Sequence, residues 1–245
     1  MDKQSKIFTG KILNRCIKTI EEYKLIRDND RVLVGISGGK DSYTLLHLLK
    51  MVQRNYKIPF ELIAVHISNT ALPYRVNTLK MGEICDKINV PFHLKELNES
   101  VENRSKSPCF YCSWVRRKEV FLMADELNAN KIAYGHHLDD VNETLIMNMI
   151  VHGTISAFPA SKSFFDGKFD IIRPLILISE PETIRYSEIY SFPDEEQNCE
   201  FEERNLRDSL KGVMNNLYAL KKNAKINLFR SMSKIDTDYL PDKTK

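Results

Sequence analysis

A glycine-rich segment near the N-terminus carries residue types suited to phosphate binding. It reads Ser37-Gly38-Gly39-Lys40-Asp41-Ser42, between the apolar run Val32–Ile36 and a stretch with the apolar spacing of a helix. The glycines therefore fall on a strand-to-helix turn, where backbone N–H groups can approach an anion and the helix start adds partial positive charge. We predict that this segment, the phosphate loop, binds nucleotide phosphates through its backbone, its lysine and its two serine hydroxyls.

The order of residues in the phosphate loop excludes the Walker A type. A Walker A lysine is followed by Ser or Thr and its glycines are spaced further apart, whereas here Asp41 follows Lys40. A glycine turn without a ligand is the alternative interpretation. We favour phosphate binding because the lysine and both serines accompany the glycines.

A pair of cysteines opens a later helix. Cys109 and Cys112 lie in a segment, Arg104 to Lys118, that contains five basic residues and no acidic one. A basic neighbourhood stabilises thiolates and favours metal or cluster binding. A single Cys-x-x-Cys motif is also compatible with a redox pair or with half of a zinc site. A structural zinc needs four ligands, so this pair alone would not complete one.

The other cysteines differ in their surroundings. Cys16 and Cys85 lie in apolar helical patterns, and we interpret both as core residues. Cys199 lies in a polar segment without apolar neighbours, so packing does not explain it. Three thiolates, from Cys109, Cys112 and Cys199, would hold a four-iron cluster by three irons and leave one iron open to sulfide.

Paired carboxylates follow a later predicted strand. The segment reads Gly135-His136-His137-Leu138-Asp139-Asp140 and leads into a helix. Asp139 and Asp140 could simply cap that helix. Beside a nucleotide they could instead hold magnesium or orient the reacting base, which is the interpretation we favour. For His136, packing against the sheet and ligand contact are both compatible with the sequence.

Alternating strands and helices must position these groups. The predicted strands are Val32–Ile36, Phe60–Ile67, Val90–Lys95 and Lys131–Tyr134. The predicted helices are Ile7–Arg27, Ser42–Gln53, Tyr74–Lys87, Phe110–Leu127 and Asp139–Val151. This alternation predicts the α/β class, with a parallel sheet covered by helices on both faces. Ligands should gather at the carboxyl ends of the strands, where the phosphate loop and the Gly135–Asp140 segment both fall.

The pattern changes beyond Pro159. A hairpin is predicted over Lys162–Arg173, with Asp166-Gly167 as its turn. Three helices follow in the prediction: Pro181–Tyr190, Glu202–Leu220 and Ile226–Met232. We therefore expect a nucleotide-binding α/β domain over 1–160, and a hairpin with a small helical C-terminal appendage over 161–245 that contributes one cluster ligand.

Composition indicates an ordinary globular protein. The 245 residues are 42% hydrophobic, enough for one substantial core. No apolar run approaches the ~18 residues that span a bilayer, and the first residues lack the apolar stretch of a signal peptide. We expect a cytoplasmic protein without a membrane partner. Five cysteines, an odd number, do not match a secreted disulfide framework.

Charge is unevenly distributed although the net charge is only +3. Residues 180–203 contain nine acidic side chains against one basic, and residues 204–245 contain ten basic side chains against four acidic ones. A solvated face explains such a run more often than RNA does, so charge alone assigns no partner.

The three motifs together resemble the tRNA 2-thiocytidine synthetase (TtcA) family of PP-loop ATP pyrophosphatases. The resemblance rests on Ser37–Ser42, on the segment Pro108–Arg117 and on Gly135–Asp140, and it extends from about Ile7 to Cys199. It implies the adenine-nucleotide α-hydrolase fold. It also implies that ATP adenylates C2 of an anticodon-loop cytidine in tRNA and that sulfur then displaces AMP. The implied cofactors are ATP, Mg²⁺ and a [4Fe-4S] cluster.

Site residues follow from the motifs and the resemblance. The predicted catalytic residues are Asp41, Arg116, Asp139 and Asp140. The predicted nucleotide-binding residues are Ser37, Gly38, Gly39, Lys40, Asp41, Ser42, Ala64, His66, Gly135 and His136. The predicted cluster ligands are Cys109, Cys112 and Cys199. Expected partners are tRNA, bound partly through Arg104, Lys106, Arg116, Arg117 and the basic tail, and a sulfur donor such as a cysteine desulfurase. A homodimer is compatible with the resemblance.

The sequence departs from the family pattern at three places. Cys199 is not part of a second Cys-x-x-Cys, Trp114 stands where a basic residue is common, and Leu138 stands where Arg is frequent. Leu138 is a feature of related 2-thiouridine enzymes, so a uridine thiolase is an alternative, although this chain lacks their zinc modules. Two further alternatives are a lysidine synthetase-like enzyme and a nucleotide-binding sensor with a structural metal.

Overall fold

The fold combines one mixed sheet with eight helices in the part of the chain that the structure describes. A computed structural model describes residues 1–55, 58–71, 76–100, 108–193 and 206–240. The strands are β1 (Arg31–Gly35), β2 (Glu61–Asn69), β3 (Phe92–Leu97), β4 (Lys131–Ala133), β5 (Ser161–Phe164) and β6 (Phe169–Ile172). The helices are α1 (Lys3–Glu22), α2 (Lys40–Asn55), α3 (Thr78–Lys87), α4 (Pro108–Glu126), α5 (Leu138–His152), α6 (Glu180–Tyr190), α7 (Leu206–Ala219) and α8 (Ala224–Ser231). A short 3-10 turn, Thr237–Tyr239, follows α8.

The six strands have the order β3-β2-β1-β4-β6-β5. All neighbours are parallel except β5 and β6, which form an antiparallel hairpin. The chain progresses from β1 toward one edge through β2 and β3, and toward the other edge through β4. The order therefore reverses between β1 and β4, and such a reversal opens a crevice at the carboxyl ends of the strands, where α/β proteins bind ligands.

Both faces of the sheet are buried at its central strands. One hydrophobic cluster joins Val120, Met123 and Ala124 of α4 to sheet residues that include Leu33 and Ile132. The strand residues that alternate with Leu33, namely Val32 and Val34, are also fully buried. Since successive strand side chains point to opposite faces, this burial requires cover on both sides. The predicted α/β class with a mostly parallel sheet is confirmed.

Helix ends account for most differences from the predicted elements. Helix α1 begins at Lys3, four residues before the prediction, because the Asp2 carboxylate accepts a hydrogen bond from the Ser5 backbone at 2.7 Å and caps the helix. Helix α3 begins at Thr78 rather than Tyr74, and the Asn77 side chain caps it by accepting from the Lys80 N–H. Apolar spacing places the body of a helix but not the polar residue that ends it.

The predicted hairpin is confirmed. Phe164 and Phe169 are the last paired residues, and the turn between them contains Asp166 and Gly167, with φ values of 55° and 91°. Phe165 before them also has a positive φ, of 53°, so three consecutive residues of the turn are left-handed, and Asp and Gly adopt this conformation readily.

The contacts group the chain differently from the predicted division at residue 160. One compact unit comprises residues 1–137 and 159–203, and the other comprises residues 138–158 and 204–245. The hairpin belongs to the first unit because β6 pairs with β4. In the second unit α5 packs against α7 and α8. Among the described helices, none is long and apolar enough to cross a membrane.

Helix α2 packs against α6 through an aromatic cluster around His47. The His47 ring lies 4.3 Å from the Tyr190 ring centroid, and its Nδ1 is 2.9 Å from the Tyr186 hydroxyl. Burial, together with the charge of Arg54, lowers the pKa of His47 from 6.5 to about 4. The imidazole is therefore neutral in the folded protein at neutral pH.

We expect His47 to make the stability of the fold sensitive to mild acid. Unfolded His47 titrates near 6.5 and folded His47 near 4, so protons favour the unfolded chain as the pH falls through this range. The free energy of unfolding should fall by about 2 kcal/mol more in the wild type than in His47→Gln between about pH 7 and pH 5. Urea titrations at the two pH values measure this difference. The exposed His152, changed to Gln, is the control, and an equal effect there would contradict the assignment.

Candidate active site

The phosphate loop is held in shape by its two serines. Ser37 N–H donates to Ser42 Oγ at 3.2 Å, Ser42 Oγ donates to the Gly39 carbonyl at 2.8 Å, and Gly39 N–H donates to Ser37 Oγ at 3.3 Å. Gly38 has a φ of 100°, a conformation that residues with a Cβ rarely adopt. The loop runs from the end of β1 into the N-terminus of α2, so its geometry is that of an anion-binding turn.

Asp41 has one satisfied and one unsatisfied oxygen. Its Oδ2 lies 3.0 Å from Lys40 Nζ and 3.9 Å from His137 Nε2. Its Oδ1 is buried and accepts no hydrogen bond from the described residues. A buried carboxylate oxygen without a donor is costly, and a cation would satisfy it. Lys40 also lies 3.9 Å from Glu180 Oε1, so two carboxylates surround its ammonium group.

Gly135 brings the end of β4 against the phosphate loop. A Cβ at position 135 would lie 2.9 Å from the Asp41 carbonyl oxygen and 3.2 Å from the Ser42 nitrogen. These neighbours are backbone atoms and cannot rotate away. Only glycine therefore permits the two chain segments to approach so closely. The predicted meeting of the phosphate loop with the segment that begins at Gly135 is confirmed for Gly135 and His137.

A pocket of about 150 Å³ lies beside the phosphate loop, at the carboxyl ends of β1 and β2. Gly35, Ile36 and Ser37 line one side, and residues 65–67 of β2 line the next. Helix α4 contributes Arg116, Arg117 and Val120, and Tyr134 completes the wall. The pocket is thus shared by the phosphate loop and the helix that carries Cys109 and Cys112.

Of the two nucleotide-binding residues predicted on β2, only one lines the pocket. His66 lines the pocket, whereas the neighbouring Ala64 is fully buried in the sheet and does not line it. His66 Nδ1 is 2.7 Å from the Ile36 carbonyl, so the ring nitrogen donates and the tautomer with Nε2 unprotonated is favoured. Nε2 is then an acceptor.

Arg173 is a buried cation that sequence reasoning missed. It directly follows β6, its side chain donates to the Pro159 carbonyl at 2.8 Å, and its Nε donates to His136 Nδ1 at 3.3 Å. Burial raises the pKa of the nearby Tyr134 to about 12, although the charges of Arg117 and Arg173 oppose the shift. The pairing of β6 with β4 brings Arg173 to this place, and only its position directly after an apolar strand could have indicated it.

The described cysteines fall into two classes. Cys16 and Cys85 are fully buried, and burial raises the pKa of each thiol to about 12, as expected for core residues. Their prediction as core residues is confirmed. Cys112 is half-buried near the N-terminus of α4. Position 109 lies one turn earlier on the same helix, its side chain lies outside the described structure, and Cys199 lies outside the described residues.

Asp139 and Asp140 open α5 in the second unit. Asp139 is buried, and its Oδ1 lies 2.5 Å from Lys225 Nζ of α8. The same ammonium group lies 4.5 Å from the centroid of the Tyr218 ring, and Asn142 donates to the Lys225 carbonyl at 2.9 Å. Asp139 therefore ties α8 to the start of α5, whatever further role it has.

Comparison with known proteins identifies the family. The family model described as "PP-loop domain" matches residues 9–216. A tRNA-cytidine(32) 2-sulfurtransferase from Francisella tularensis is 33% identical over 249 residues, which cover 99% of this chain and 92% of that protein. The chain belongs to the PP-loop family of tRNA-cytidine(32) 2-sulfurtransferases. A further member of this family, from Chromohalobacter salexigens, is 38% identical over 71% of this chain and 62% of its own length.

A solved structure confirms the fold of this PP-loop protein. The U34-tRNA thiolase NcsA from Methanococcus maripaludis, with its [4Fe-4S] cluster, has a TM-score of 0.79 and covers 98% of this chain and 82% of its own. The two sequences are 22% identical, so the likeness concerns the fold. The resemblance that the three motifs indicated is confirmed.

Gly135→Ala should impair nucleotide binding without unfolding this PP-loop protein. The added methyl group would press on the Asp41 backbone and displace the phosphate loop, and small displacements of binding groups reduce catalysis by up to about 100-fold. We expect ATP affinity, measured by calorimetry, to fall at least about tenfold. Gly10→Ala is the control because nothing lies within 4 Å of its Cβ. Unchanged ATP affinity in Gly135→Ala would contradict the close-approach argument.

Lys225→Met should destabilise the second unit. The change keeps the length of the side chain but leaves the buried Asp139 carboxylate without its nearest cation. We expect the free energy of unfolding to fall by about 2 kcal/mol. Chemical denaturation of Lys222→Met, an exposed neighbour, provides the matched comparison. Adding Asp139→Asn to Lys225→Met should recover part of the loss, and strictly additive losses would show that the pair is not coupled.

Proposed function

We propose that this protein uses ATP to convert an anticodon-loop cytidine of tRNA, at position 32, into 2-thiocytidine. One observation carries the proposal. The pocket beside the phosphate loop is also lined by Arg116 and Arg117, one turn beyond Cys112 on α4. Ser37, the first residue of the phosphate loop, and the cysteine-bearing helix therefore face one cavity.

A shared cavity suits a reaction in two steps on one atom. The C2 oxygen of cytosine is a poor leaving group, so it first attacks the α-phosphate of ATP and pyrophosphate departs. Sulfide then adds at C2 and AMP leaves with the oxygen. Both steps act on the same carbon, so the phosphate donor and the sulfur source must be reachable from one bound base.

The phosphate loop is suited to the first step. Its backbone N–H groups, the N-terminus of α2 and Lys40 supply positive charge for the departing pyrophosphate. Arg116 lines the pocket and can offset charge that develops on the α-phosphate. Gly38, Gly39 and the two serines fix the turn, so these groups need little rearrangement when the nucleotide binds.

Magnesium fits the carboxylates of this chain. The buried Asp41 Oδ1 accepts no hydrogen bond from the described residues, and an oxygen of this kind is a good Mg²⁺ ligand. On the sequence alone, Asp139 and Asp140 stay proposed to hold Mg²⁺ or to orient the reacting base. We place Mg²⁺ with ATP, where it would offset phosphate charge.

A [4Fe-4S] cluster fits the thiol chemistry of α4. Cys112 is half-buried, and the next turn of α4 carries Arg116 and Arg117, a basic neighbourhood of the kind in which metal-binding cysteines occur. Cys109 and Cys112 are separated by one helical turn, and Cys199 is the proposed third ligand, supplied by the C-terminal region. When bound, the cluster would supply sulfur through the iron that no protein thiolate ligates. A cysteine desulfurase is the proposed source of that sulfur, the cytoplasm the proposed location, and a homodimer a further proposal.

The proposed base is cytosine rather than uracil. Relatives that match nearly the whole chain are named for cytidine 32. The uridine thiolase of similar fold supports the architecture alone. 2-Thiocytidine and 2-thiouridine differ in mass and in chromatographic retention, so nucleoside analysis distinguishes the two products directly.

The test is an anaerobic preparation assayed for metal and product. We expect about four irons and as many acid-labile sulfides per chain. With ATP, Mg²⁺, sulfide and unmodified tRNA, nucleoside analysis should show 2-thiocytidine. Cys112→Ala should abolish the cluster and the product but retain ATP binding. The control Cys85→Ala, at a buried thiol, should retain the cluster and the product. Zinc without sulfide would favour a structural metal, and 2-thiouridine would favour the alternative base.

A further inference from the structure

The outer face of α4 carries exposed aromatic rings. Phe110 is 43% exposed and Trp114 is 48% exposed, although large aromatic side chains are usually buried. The Tyr111 ring stacks on Trp114 with ring centroids 5.8 Å apart and planes inclined by 28°. Positions 110 and 114 are one turn apart, so Phe110 and Trp114 lie on the same side of the helix. We call these two residues the aromatic face.

The aromatic face borders the pocket. Arg116 and Val120 of α4 line the pocket. Val115, between Trp114 and Arg116 in the sequence, is buried. Arg117 both lines the pocket and is exposed, and it lies three residues after Trp114. Residues three apart are neighbours on a helix surface, so Arg117 connects the aromatic face to the pocket.

Basic residues follow the aromatic face along α4, and one carboxylate, that of Glu99, accepts a hydrogen bond from the Tyr111 hydroxyl at 3.4 Å. Arg116, Arg117 and Lys118 follow Trp114, and the sequence from 104 to 118 contains no acidic residue. The next residue, Glu119, is only 7% exposed and lies 3.7 Å from Lys118 Nζ. Exposed rings among cations suit single-stranded nucleic acid, whose bases stack on aromatic side chains while its phosphates contact basic ones.

We propose that Trp114, supported by Phe110, stacks an unpaired anticodon-loop base that neighbours the cytidine entering the pocket. This inference rests on the proposed function, because it assumes a tRNA substrate. A base that enters a pocket must leave its stack, which costs a few kcal/mol. A ring just outside the pocket restores stacking for the neighbouring base and so offsets that cost.

The experiment compares two RNAs with the full-length, cluster-loaded protein. One is a labelled anticodon stem-loop, and the other is a blunt duplex with the same number of phosphates. We expect Trp114→Ala to weaken stem-loop binding about tenfold by fluorescence anisotropy, with an unchanged salt slope and unchanged duplex binding. Trp114→Phe should stay within about threefold of the wild type, because it keeps an aromatic ring. Leu122→Ala, at a 51% exposed residue of the same helix, should match the wild type.

Trp114 also offers a direct signal, because it is the single tryptophan of the chain. Base stacking should quench its emission when the stem-loop is added but not when the duplex is added. In thiolation assays Trp114→Ala should raise the KM for tRNA about tenfold and leave kcat near that of the wild type.

Several results would overturn the inference. Unchanged stem-loop affinity in Trp114→Ala, or an equal loss for the duplex, would exclude stacking. If Trp114→Ala bound RNA normally but received sulfur poorly from a donor protein, the aromatic face would be assigned to a protein partner instead. If the wild type formed no 2-thiocytidine while stem-loop binding still required Trp114, the proposed function would fail and the stacking surface would stand.

Discussion

The contact between two backbone segments at the crevice of the sheet constrains the whole site. The turn after β4 lies so close to the start of α2 that position 135 has no room for a side chain. The strands behind these segments are paired in register, with Val34 opposite Ala133. The position of the phosphate loop therefore depends on the turn after β4 and, through it, on the pairing of β4 with β1. The strands thus add to the preorganisation that the serine hydrogen bonds give the phosphate loop.

Local signals made much of the fold predictable. The apolar run before the phosphate loop, the Asp166-Gly167 turn and the alternation of strands and helices each depend on neighbouring residues. The starts of α1 and α3 were not predicted because single polar caps, Asp2 and Asn77, decide them. The pairing of β6 with β4 joins segments far apart in sequence, so local patterns alone do not indicate it.

The same distinction applies to the site. The phosphate loop and Gly135 could be predicted because their types and spacing carry the chemistry. Arg173 could not, since the pairing of β6 with β4 is what brings it to His136. For the cysteines, apolar context in the sequence was enough to separate Cys16 and Cys85 from the pair on α4. Apolar context separates them because burial in the core makes a thiol less acidic and keeps it away from solvent and ligands.

The outer strand of the hairpin, β5, forms one edge of the sheet. In the described part of the chain β5 pairs only with β6, so its other side is an edge with exposed backbone groups. It is four residues long, and Ser161, Lys162 and Ser163 are exposed along it. Short, lysine-bearing edges resist pairing with a strand from another molecule. Pairing of a strand from a second copy along this edge of the sheet is therefore disfavoured.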